Sequence, residues 1–136
     1  MRLLLDTNVL LDALLGRSGA KASGEIIASC PGVHTGFIAW HGLATIFYLA
    51  SKAKSAAFAQ GCVKSLLSWA HVADTGHADA LRAIGYPMFD FEDALQAAAA
   101  EASGAVFIIT RNGKDFANSP VPALTPEDFL LRFPLV

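Results

Sequence analysis

Asp6, Asp93 and Asp115 each stand where an apolar stretch begins or ends, and a carboxylate at such a place needs hydrogen-bond donors or a cation to offset its burial. Two of them lie in DFEDALQAAAAEASGAVFIITRNGKDF, residues 90–116, and the third follows the run Leu3-Leu4-Leu5 at the other end of the chain. Acids so placed suggest one metal site assembled from both ends of the sequence. Oxygen-only donors favour a hard cation such as Mg²⁺ or Mn²⁺, which keeps some of its waters. A metal held there could generate hydroxide for attack on a phosphodiester and offset the charge that develops.

Each acid also has a simpler role open to it. Asp90 can cap a helix and Asp93 can favour its positive end. Asp6 can form an Asx turn into the next helix, and Asp115 can close the turn that holds Phe116. Asp93 stands apart, because Ala97 and Ala100 continue its helix face towards the apolar side.

The elements that must position these acids follow from periodicity and punctuation. Residues 2–5 read as a buried strand, and residues 9–15 as a short helix broken by Gly16 and Gly19. Residues 25–29 continue as a second helix, ended by Pro31-Gly32. Residues 34–39 predict a strand, and 41–52 a helix through Leu43, Ile46, Phe47 and Ala50. Residues 58–69 predict another amphipathic helix, 71–73 a third strand and 76–84 a helix closed by Gly85 and Pro87. The Ala-rich helix over 91–103 ends at Gly104 and leads into a fourth strand over 105–110. Thr125-Pro126-Glu127-Asp128 is a strong start for a short last helix, which Pro134 ends.

Short apolar strands alternating with helices predict an α/β fold: a three-layer sandwich around a central parallel sheet of four or five strands. Such sheets place functional residues beyond the carboxyl ends of their strands, where Asp6 and the loop 110–115 fall. A chain of 136 residues fits one domain over 1–136.

Composition narrows the function. Hydrophobic residues make up 54% and charged ones 16%, so much of the apolar content should be buried. No apolar run reaches the roughly 18 residues of a spanning helix, and Asp6 and Asp12 interrupt any signal-like segment, so a cytoplasmic location is expected. Cys30 and Cys62 are read as reduced packing residues, and the four histidines show no zinc-ligand spacing with them. A net charge of −2 argues against a bulk electrostatic grip on nucleic acid, but not against a nuclease whose acids are neutralised by metal. Lys52 and Lys54 read as surface charge, and His41 as a secondary candidate at a helix start. Trp40, Trp69, Phe47 and Tyr48 read as core or dimer contacts rather than base-stacking platforms.

LLLDTNVLLDALL, the 90–116 stretch and PVPALTPEDFL together resemble the PIN domain family, and more narrowly the VapC-like ribonucleases of bacterial toxin–antitoxin pairs. The likeness spans almost the whole chain, although residues 53–88 add little. It implies RNA cleavage dependent on Mg²⁺ or Mn²⁺, with Asp6, Asp93 and Asp115 as catalytic metal ligands. Asn8, Asp90, Thr110 and Asn112 match the supporting polar positions. A homodimer is implied too, with a small antitoxin whose basic or aromatic tail enters the acidic site. Arg111 and Lys114 flank the loop acids and could touch RNA phosphate or face solvent.

Two positions depart from the pattern: Thr45 stands where relatives usually carry Glu, and Asn112 where many carry Asp. A hydroxyl and an amide hold a hard cation less strongly than carboxylates. The chain is therefore expected to bind one metal more securely than two. The alternative is a catalytically weakened RNA-binding or regulatory module. A third class, phosphoryl transfer with Asp6 as nucleophile, would want a second acid where Asn8 stands.

Overall fold

The structure, a computed structural model, describes residues 1–136. Five strands form one parallel sheet: β1 (Arg2–Leu5), β2 (Thr35–Ile38), β3 (His71–Val72), β4 (Phe107–Ile109) and β5 (Ala123–Leu124), in the order β3-β2-β1-β4-β5. Seven helices flank it: α1 (Thr7–Leu15), α2 (Ala20–Ala28), α3 (Trp40–Ala53), α4 (Ala56–Trp69), α5 (His77–Gly85), α6 (Phe91–Ala102) and α7 (Pro126–Arg132). This is the expected three-layer α/β sandwich. None of the helices is long and apolar enough to cross a membrane.

The triple leucine of β1 explains the layering. Successive strand residues point to opposite faces, so Leu3 and Leu5 pack with Val9, Ile26, Ile46, Leu66 and Phe129 on one side. Leu4 enters the other side with Ile108, Ala97, Ala99, Ala100 and Phe116. A strand buried on both faces has no room for alternating polar residues, hence its unbroken apolar run. Ala97 to Ala100 are at most 2% exposed because α6 is covered on two sides: Ala97, Ala99 and Ala100 lie close on the sheet, while Ala98 packs with Ala94 against Ala83 of α5.

Several boundaries differ from the sequence expectation. α2 begins at Ala20 rather than residue 25, because Gly24 is carried inside the helix. β5 has only two residues, too few to show a period between its flanking prolines. α7 starts as expected, with the Thr125 hydroxyl accepting from the Asp128 amide at 3.1 Å. Both cysteines are buried free thiols, in keeping with packing roles.

Gly36 of β2 is a tight approach: a Cβ there would lie 2.8 Å from the Trp69 ring and 3.4 Å from Cys30 Sγ. The ring is rigid and half-buried, so Gly36→Ala should destabilise the fold by about 1–3 kcal/mol, the usual cost of overpacking. Urea unfolding checks this; an unchanged midpoint would mean that the α4–sheet contact yields freely.

Candidate metal centre at the carboxyl edge of the sheet

The strand order reverses at β1, whose neighbours β2 and β4 are reached by crossovers leaving in opposite directions. Such a reversal opens a crevice beyond the carboxyl ends of the strands. Asp6 follows β1 and Thr110 follows β4, so the two residues meet across it.

Asp6 occupies the N-cap position of α1, yet its side chain makes no capping bond. One carboxylate oxygen instead accepts from the Thr110 hydroxyl at 2.9 Å, while its backbone amide donates to the Ile109 carbonyl. The residue is 5% exposed. Burial, and secondarily the Glu92 charge, push its pKa up to about 6, although the Thr110 hydrogen bond pulls the other way.

The first turn of α6 supplies the other acids. Asp90 does cap the helix, accepting from the Asp93 amide at 3.0 Å. Asp90, Glu92 and Asp93 offer carboxylate oxygens that all lie within 4.8 Å of one another. Asp93 is driven up to about 7, first by desolvation and then by the charges of Asp90, Glu92 and Asp6. Glu92 moves the opposite way, because His41 Nε2 at 3.1 Å and the Gln96 amide stabilise its charge.

Gln96 is fully buried and bridges Glu92 to Thr7, its Nε2 donating to the Thr7 hydroxyl at 3.1 Å. Gly42 of α3 closes on the same point, for a Cβ there would come within 2.9 Å of Thr7 Oγ1. The starts of α1, α3 and α6 are thus bound to each other beneath the acids.

After β4 the chain turns through Arg111 and Asn112 into a one-turn 3-10 helix, Gly113–Phe116. The Asn112 backbone N–H donates to Thr110 Oγ1, and Phe116 plugs the turn into the core. Arg111 Nε lies 3.2 Å from Asp12 Oδ2, and Asp12 is fully buried. Lys114 and Asp115 are exposed.

Of the residues singled out in the sequence, Asp6 and Thr110 are in direct contact, and Asp93 is close enough to Asp6 to feel its charge. Asp115 lies on the neighbouring turn and does not join the acids of α6 within 4.8 Å, nor does Asp6. Asn8 is half-buried on the first turn of α1, and Thr45 is exposed on α3 beside buried Ile46. Of the aromatics expected as core or dimer contacts, Trp69 packs against the core, while Trp40 and Tyr48 are 69% and 60% exposed and so lie outside it.

Glu92, Gln96, Thr7 and Asp12 escaped the sequence reading. One signal was available: Gln96 is the lone amide in an otherwise alanine face, four residues after Glu92.

The donor set fits a hard divalent cation. Only oxygen donors converge, Asp6 and Asp93 have no cationic side chain within ion-pair distance, and burial together with the surrounding carboxylates already raises the pKa of both, a cost that a bound cation would relieve.

Residues 2–114 match the sequence model of the PIN domain family. No curated protein matches the chain in sequence. Among solved structures, it is similar to VapBC2 from Rickettsia felis bound to a DNA fragment from its promoter, with 22% identity and a TM-score of 0.70 over 92% of this chain and 98% of that one. A toxin–antitoxin complex from Klebsiella pneumoniae gives 24% identity and 0.69, over 90% and 96%. The sarcin–ricin loop cleaving toxin VapC20 from Mycobacterium tuberculosis gives 15% and 0.70, over 85% and 93%.

Proposed function

The chain belongs to the PIN domain family, and on that premise we propose that it is an endoribonuclease dependent on Mg²⁺ or Mn²⁺, acting in the cytoplasm as the toxin of a toxin–antitoxin pair. The carrying observation is Asp6. A carboxylate at an N-cap position that forgoes capping, and is buried against Thr110 beside a second acidic helix, is prepared for another partner.

Asp6 and Asp93 would hold the cation, with Asp115 completing the set from the loop and Asp90 and Asn8 in support. The bound cation would supply Lewis acidity at the scissile phosphate and make water a better nucleophile. Thr110 fixes the Asp6 carboxylate by donating to it, and is itself held by the Asn112 backbone N–H. His41 and Gln96 hold Glu92 ionised beside Asp93. Lys114, which has no ion-pair partner in the protein, and the outer part of Arg111 would meet RNA phosphates.

The similar structures are consistent with this reading, since one is a sarcin–ricin loop cleaving toxin and another a toxin–antitoxin complex. A homodimer and a small antitoxin follow as partners. The groove between α3 and α4, lined by Phe47, Val63, Lys64 and Leu67, offers apolar surface for a protein.

Cleavage of single-stranded RNA should require Mn²⁺ or Mg²⁺ and stop on chelation; cleavage that persists in EDTA overturns the proposal. The second reading, a weakened RNA-binding module, draws on exposed Thr45 and neutral Asn112. It would be favoured if calorimetry shows Mn²⁺ binding and RNA is bound but stays intact.

A further inference from the structure

A cavity of about 180 Å³ opens beside the acids, lined by Trp40 and His41 of α3, Thr75 and Gly76 after β3, Asp79 and Ala80 of α5, and Leu95, Ala98 and Ala99 of α6. It lies at the same carboxyl edge of the sheet, and α6 serves both places: its first turn carries the acids and its next two turns form the cavity floor. His41 joins them directly, lining the cavity while its Nε2 holds Glu92 at 3.1 Å.

We propose that this cavity binds one unstacked base of a single-stranded RNA, with Trp40 as its stacking face, next to the phosphate that is cut. The inference rests on the ribonuclease reading above. Three features select a base over other ligands. The lining holds no Lys or Arg, and its one acid is already engaged, Asp79 accepting from Gly76 N at 2.8 Å and from Arg82 at 2.7 Å. A phosphate is therefore excluded, whereas a neutral ring is not.

The walls are thin: Gly76, Ala80, Ala98 and Ala99 leave a slot bounded by Leu95 and the exposed indole of Trp40. Apolar faces with a few polar edges, here His41 and Thr75, are what a base requires. Finally, a base is separated from its own phosphate by one sugar. A base held against His41 consequently leaves that phosphate on the side of Glu92 and Asp93.

Trp40 and Thr75 also line a second hollow with Val72, Ala73 and Asp74, so the indole stands as a partition between two concavities.

The test uses an RNA series in which a single abasic nucleotide is moved along the cleavage site, with the wild-type protein, Trp40→Ala and Ala80→Leu. Base stacking is worth about 1–3 kcal/mol, so one abasic position should raise the wild-type KM by about 5- to 150-fold. Trp40→Ala should show that higher KM on intact RNA and lose the abasic effect, the coupling expected of groups in contact. Ala80→Leu, which fills the slot from its exposed rim, should behave likewise. Tyr48→Ala, an exposed aromatic of the same helix outside the cavity, should change neither.

If the wild type cleaves RNA and Trp40→Ala keeps its KM on every substrate, the base site is wrong and the nuclease reading stands. If nothing is cleaved, that reading falls. Tryptophan fluorescence with intact RNA then decides separately: quenching absent from Trp40→Phe supports the site, and no quenching overturns it. A Trp40 signal that shifts with protein concentration alone assigns the cavity to a subunit contact and also overturns it.

Discussion

Asp93→Asn should abolish RNA cleavage and, at the same time, make the metal-free protein more stable at pH 8. Loss of a metal ligand removes several kcal/mol of transition-state stabilisation, a rate loss of at least about a thousandfold. The stability gain comes from the same carboxylate. Its folded-state pKa of about 7 lies above the ordinary 3.8, because burial and the charges of Asp90, Glu92 and Asp6 oppose ionisation.

Between these two pH values the folded protein binds a proton that the unfolded chain has released, so stability falls as pH rises. The penalty is absent below about pH 4 and fully developed above about pH 7. A shift of this size corresponds to at most about 4 kcal/mol, and partial exposure of Asp93 screens it to about 1–2. Removing an acid from the first turn of α6 gives back about 0.3–1 kcal/mol of dipole stabilisation, which is the smaller effect. Asp93→Asn should accordingly melt several degrees higher than wild type at pH 8 and not at pH 4. Saturating Mn²⁺ should reverse the order at pH 8, since only the wild type gains from binding. Equal melting shifts at both pH values, or cleavage at the wild-type rate, would remove Asp93 from the metal set.

That coupling was partly legible from residue types alone. Leu3-Leu4-Leu5 ending in Asp6, and a buried strand ending in Thr110, place two polar groups at strand ends, and a parallel sheet brings such ends to one edge. The contact at 2.9 Å additionally requires β1 and β4 to be neighbours, which their intervening helices do not dictate. Glu92 and His41 lie 51 residues apart, and their pairing depends on how α3 and α6 dock. No period or spacing carries that information. Asp90 had a local signature, and its cap is local, closing on an amide three residues away. Whether Trp40 lies in the core or on the surface was not legible, because helical spacing records which residues share a face, not whether another element covers it.

Arg111→Ala separates two roles that the residue could play. In the fold it is tied to Asp12, whose carboxylate is fully buried and has no hydrogen bond on either oxygen. Removing one partner of a buried pair strands the other, at about 3–5 kcal/mol; the half-exposed guanidinium brings this to about 2–4. Because replacing a whole buried pair by apolar groups is often neutral, the double variant Asp12→Leu, Arg111→Ala should recover most of the loss in urea unfolding. The tie also joins α1 to the turn that carries Asn112, Lys114 and Asp115. Mn²⁺ affinity should therefore weaken in Arg111→Ala, even though the Thr110 bond to Asp6 is untouched, and should stay weak in the stable double variant. If Arg111→Ala instead keeps its stability and its Mn²⁺ affinity while RNA binding loses salt dependence, the guanidinium acts on phosphate, and Asp12 is satisfied without it.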